Sequence, residues 1–133
     1  MTINRGQKHE KDYYEKMSRD LIKQGEIESA LTASYMTIGL DFYNSWCYWH
    51  TLGNLFREKS KYDQAIAAYQ SAIKLNSSFS WCWYNLGDCL EKKGNLEDAV
   101  AAFLTATKLY PNFKVFNDRL IKAKNKVSFL GVI

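Results

Sequence analysis

A shift of 34 residues lays residues 80–113 onto residues 46–79, and the apolar positions coincide. Trp49 falls on Trp83, Leu52-Gly53 on Leu86-Gly87, Ala65 on Ala99 and Ala67-Ala68 on Ala101-Ala102. Ala72 falls on Ala106, Lys74-Leu75 on Lys108-Leu109 and Phe79 on Phe113, while Tyr69/Phe103, Ile66/Val100 and Asp63/Glu97 keep their chemistry. A fixed period of this length marks a fold built by stacking one unit on the next, because a single unit cannot bury its own apolar face.

The spacing inside each unit is helical. Trp49, Leu52, Gly53 and Phe56 stand at i, i+3, i+4 and i+7, one stripe on a helix predicted over 46–59. Gly53 and Gly87 are expected where a partner helix comes close, with Ala65, Ala72, Ala99 and Ala106 as the matching small residues and Tyr69 and Phe103 filling the space between. Gly94 suits the left-handed residue that closes a helix, Ser60 takes the same slot, and Pro111 stops the second helix of its unit. A single proline and seven glycines leave little punctuation for an all-β fold.

This pattern resembles the tetratricopeptide repeat (TPR), a helix-turn-helix unit. The family's signature positions are met by Trp49, Leu52, Gly53, Phe56, Ala65, Tyr69, Ala72 and Ser77, then by Trp83, Leu86, Gly87, Leu90, Ala99, Phe103, Ala106 and Pro111. A degenerate upstream unit over 11–45 aligns Gly25 with Gly94 and Ala30 with Ala99, with Tyr14, Met17, Ser18 and Leu21 in the first helix and Ser34 and Thr37 in place of the aromatic and the second alanine. The resemblance implies an all-α solenoid: a polar arm (1–10), three repeats (11–45, 46–79, 80–113), a capping helix (114–126) and an apolar tail (127–133). Within the capping helix Val115, Phe116, Leu120 and Ala123 are expected to face inward.

It also implies a groove lined by first helices. The family's groove positions fall on Cys47, His50, Thr51, Asn54, Arg57 and Glu58, on Trp81, Tyr84, Asn85, Asp88, Glu91 and Lys92, and on Val115, Asp118, Arg119 and Lys122. Asparagine amides both donate to and accept from a peptide backbone, and Trp81 and Tyr84 are the residue types that anchor interfaces. Adaptors of this family that hold the C-terminal carboxylate of heat-shock chaperones use Lys, Asn, Asn, Lys and Arg at five positions that here read His50, Asn54, Asn85, Val115 and Arg119.

Competing readings rest on less. Cys47-Tyr-Trp-His50 has a C-x-x-H spacing, but a structural zinc site needs four ligands and only Cys82, Cys89 and His9 could add to it. Cys47 and Cys82 do not fall on each other in the repeat, so buried or free thiols are expected, with no metal and no cofactor. The sequence contains no G-x-S-x-G, phosphate loop, Rossmann glycines or H-E-x-x-H. Residues 114–126 carry the excess of positive charge; a basic outer face on a capping helix accounts for it better than nucleic-acid or membrane binding. The start MTINRGQKHEKDYYEKM has no apolar h-region, no stretch approaches the roughly eighteen apolar residues of a membrane span, and three cysteines suit a reducing cytoplasm. The tail VSFLGVI could fold back, lie in a neighbouring molecule's groove or mark a cut through a longer protein. The function expected is non-catalytic binding of a peptide or partner protein, as adaptor or assembly factor. The alternative is an oligomerisation segment or the TPR part of a larger enzyme.

Overall fold

The structure, a computed structural model, describes residues 3–41 and 45–131. Among these, seven helices follow one another: α1 (Arg5–Lys23), α2 (Ile27–Leu40), α3 (Trp46–Glu58), α4 (Tyr62–Leu75), α5 (Ser80–Lys92), α6 (Leu96–Leu109) and α7 (Lys114–Phe129). Each packs on its neighbours in chain order, and α3 also touches α5.

The turns inside the three helix pairs are copies of one another. Gly25, Ser60 and Gly94 take φ of +77°, +58° and +86°. The next residue's N–H reaches back five residues in each: Glu26 to the Leu21 carbonyl, Lys61 to Phe56 and Asn95 to Leu90, each at 2.9 Å. This bonding satisfies carbonyls that the helix end would otherwise leave open. Ser60 pays the cost of a β-carbon in this region; the two glycines do not.

Aromatic rings lying on glycines join each central pair. Tyr69 and Phe103 are fully buried. A β-carbon on Gly53 would lie 2.6 Å from Tyr69 Cδ1, and one on Gly87 would lie 2.8 Å from Phe103 Cε1. The glycines therefore make room for a ring carried by the partner helix, and Tyr69 and Phe103 fill the space between the helices as their repeat positions suggested. Ala65, Ala72, Ala99 and Ala106 are buried beside these rings. In the first pair the same two positions are Ser18 and Ser34, both buried, and their hydroxyls hydrogen-bond to each other at 2.9 Å.

Both ends differ from the segment bounds read from sequence. α1 starts at Arg5, inside the expected polar arm, because Asn4 and Gln7 cap each other: Asn4 Oδ1 accepts from the Gln7 N–H at 2.8 Å and Gln7 Oε1 from the Asn4 N–H at 3.1 Å. α7 runs past residue 126 to Phe129, since Val127 continues the buried row Phe116, Leu120 and Ala123. Val115, expected inward, is 44% exposed. Residues 132–133 of the tail, 42–44 of the first unit and 1–2 of the arm lie outside the described residues. No described helix is long and apolar enough to cross a membrane.

Gly87→Ala should destabilise the fold by about 1–3 kcal/mol through overpacking, although alanine is by about 1 kcal/mol the better helix former. Urea unfolding of this variant, alone and with Phe103→Leu, checks the cause. The penalty should shrink when the ring is gone; an unchanged penalty would show that the ring is not the obstacle.

Candidate peptide-binding groove

The polar residues of α3, α5 and α7 meet on one face. Asn85 is at the centre, only 7% exposed. Its Nδ2 donates to His50 Nε2 at 2.9 Å and to Asn54 Oδ1 at 3.3 Å, and its Oδ1 accepts from Arg57 Nη1 at 2.8 Å. Asn54 Oδ1 also accepts from the buried Tyr69 hydroxyl at 2.5 Å, which ties this network to the ring that rests on Gly53. Burial, with the Arg57 charge nearby, pushes the His50 pKa down to about 4. The neutral imidazole can then accept from Asn85 through Nε2 while its ring packs edge-on against Phe79.

A row of alternating charges continues from Arg57. Asp88 lies 3.8 Å from Arg57 Nη1 and accepts from Arg119 Nη2 at 2.7 Å. Arg119 also reaches Glu91 at 3.4 Å, and Glu91 pairs with Lys126. Arg57, Asp88, Arg119, Glu91 and Lys126 thus neutralise one another in sequence across three helices. Arg119 lies over the Phe103 ring at 5.1 Å, so its position also depends on the second ring–glycine contact.

The remaining expected groove residues divide into two groups. Trp81, 39% exposed, packs edge-on against Tyr84, Phe113 and Phe116, with centroids 5.0–5.8 Å apart. Thr51 donates to the Cys47 carbonyl of its own helix at 2.9 Å. Lys92 and Lys122 are exposed and make no ion pair among the described residues, and both line an open cleft of about 1120 Å³ between α5 and α7. The structure therefore brings His50, Asn54, Arg57, Asn85, Asp88 and Arg119 into one network and leaves Thr51, Trp81, Tyr84, Lys92 and Lys122 outside its hydrogen bonds.

Sequence reasoning did not pair Glu91 with Lys126, nor Glu15 of α1 with the Tyr48 hydroxyl of α3. A usable signal exists in the spacing. Asn54–Asn85, Asp88–Arg119 and Arg57–Asp88 are each one repeat less about one turn apart in sequence. The cysteines belong to the packing: Cys82 and Cys89 are buried, and burial pushes their thiols up to about 12 and about 11. Among the described residues no three His, Cys, Asp or Glu side chains group as metal ligands would.

A family model described as "Tetratricopeptide repeat" matches residues 50–112. Over those residues the chain is similar to that family. The first TPR of Spaghetti (RPAP3), bound to an HSP90 peptide SRMEEVD, superposes with a TM-score of 0.83 at 18% identity, over 90% of this chain and 94% of that one. The second TPR domain of human RPAP3, in complex with an HSP70 peptide SGPTIEEVD, gives 0.81 at 23%, over 89% and 98%. The Yersinia enterocolitica type III secretion chaperone SycD, in complex with a peptide of the translocator YopD, gives 0.75 at 19%, over 91% and 92%. At these identities the likeness is one of fold. None of the curated proteins matches the sequence.

A pH dependence follows from His50. Its folded-state pKa lies below the ordinary 6.5, so between 6.5 and about 4 the unfolded chain holds a proton that the folded chain does not. Stability from this group is complete above that window and falls as pH drops through it. Melting temperatures measured across the window should decline less with acid in His50→Gln than in the wild type; equal slopes would mean that the histidine is not held neutral.

Proposed function

We propose that the chain is a non-catalytic, cytoplasmic interaction module that binds an extended segment of a partner protein along α3, α5 and α7, as an adaptor or assembly factor. The observation that carries this reading is the pre-set polar network on that face, flanked by an open cleft and by the exposed edge of Trp81. Rigid, already-bonded side chains lose little freedom when a ligand arrives, which favours binding. Asn85 and Arg119 act here as supports for the surface, since their polar groups are engaged within the chain. Thr51, Trp81, Tyr84, Lys92 and Lys122 are the residues available to a ligand. Three of the structural neighbours hold peptides, and the acidic tails of the two RPAP3 ligands invite a comparison. In this chain Asp88 lies between Arg57 and Arg119, where a terminal carboxylate would have to displace it.

A second reading, self-association through the C-terminal tail, is favoured by Phe129 and Leu130, which are 89% and 60% exposed. Sedimentation at two protein concentrations decides it.

Capture from lysate with the wild type and with a Thr51→Arg/Trp81→Ala variant, both shown folded by circular dichroism, tests the main reading. A partner retained only by the wild type is the expected result; identical captures would sink it. The wild type should also bind a peptide ending in EEVD weakly. Asp88→Asn, which removes the competing carboxylate, should raise that affinity by about tenfold, the scale of one charge-assisted hydrogen bond. Calorimetry showing no gain would mean that Asp88 does not block the site.

A further inference from the structure

We propose that the cleft between α5 and α7 is a docking site for an internal segment of a partner protein with the pattern apolar–x–acidic–x–apolar, bound in extended form. The inference rests on the reading of this face as a peptide-binding surface and names the ligand chemistry it selects. The cleft's apolar wall is Leu96, Ile121, Phe129 and Leu130, and the last three are 57%, 89% and 60% exposed. Ile121 and Phe129 stand eight residues apart on one helix, roughly 12 Å along its axis. An extended chain spaces residues i and i+4 by about 13 Å and turns i, i+2 and i+4 to the same side. Two apolar side chains of such a segment therefore meet Ile121 and Phe129, with one residue between them on the same side.

The charge inventory decides what that middle residue is. Asp88 and Glu91 border the cleft, but Arg119 and Lys126 take up their charge, and Lys114 pairs with Asp118 at 2.5 Å. Lys92 of α5 and Lys122 of α7 both line the cleft, with no ion pair among the described residues. The unbalanced charge is positive, and a carboxylate side chain complements it. A second copy of α7 would bring its Lys122 against the unpaired Lys92 and Lys122 of the first, which disfavours a dimer at this face. An internal segment is specified because the neighbouring two-arginine position is already filled by Asp88.

The test is fluorescence anisotropy on the full chain with a labelled decapeptide blocked at both ends, carrying Leu, Glu and Phe at alternate positions. Two control peptides carry Lys in place of Glu, or Ser in place of Leu and Phe. The acidic apolar peptide should bind, and each control should lose about tenfold in affinity. Lys92→Glu/Lys122→Glu should reverse the preference between the Glu and Lys peptides. Phe129→Ser should weaken binding without lowering the melting temperature, because that side chain is almost fully exposed. Equal binding of the Glu and Lys peptides, no reversal in the double variant, or a dimer that excludes the peptide would each overturn the proposal. If the peptide fails but lysate capture still depends on Thr51 and Trp81, only the cleft assignment falls. If both fail, the groove reading falls with it.

Discussion

The contact on which the other features depend is an aromatic ring resting on a glycine. Tyr69 on Gly53 and Phe103 on Gly87 set how closely the two helices of each central unit approach. The buried alanines on the second helices accept that spacing, and any bulk on the glycine would be resisted by a ring with nowhere to move. From the same rings the polar face is positioned. The Tyr69 hydroxyl holds Asn54, and Phe103 lies under the Arg119 guanidinium. Core and surface are thus joined through two side chains.

The first unit solves the same spacing problem differently. Ser18 and Ser34 occupy the glycine and ring positions, and a hydrogen bond between two short side chains replaces a large apolar contact. Such a pair contributes about 0.5–1.5 kcal/mol net, well below the roughly 1.5–3 kcal/mol of a fully buried aromatic side chain. The substitutions were visible in the sequence, but their pairing was not, because serine by itself does not announce a partner. The end unit is held with less apolar contact, as suits a unit with one neighbour instead of two.

Legibility followed the repeat. Periodicity reports residues that do the same thing in each unit, so the core, the turns at Gly25, Ser60 and Gly94, and the likeness to a repeat family were readable by superposition. The groove residues could be assigned to a face for the same reason. Their mutual bonds could not, because those run between units at offsets shorter or longer than the period, and the residues at equivalent positions differ in charge. Arg57 and Glu91 share one repeat position with opposite signs. Superposition makes that look like divergence; in three dimensions each finds its partner on the adjacent helix. The extra turn of α7 escaped because Val127 was read with the apolar tail that follows it, while its spacing from Ala123 continues the buried row.

The row from His50 through Asn85, Arg57, Asp88 and Arg119 to Lys126 has a mechanical consequence. A solenoid flexes by small rotations of each unit against the next, and springs placed along one side limit how far it can straighten. Here the springs are short polar bonds that span α3, α5 and α7. Straightening would stretch several of them together, so the stacked units bend as a stiff bow and not as a loose chain.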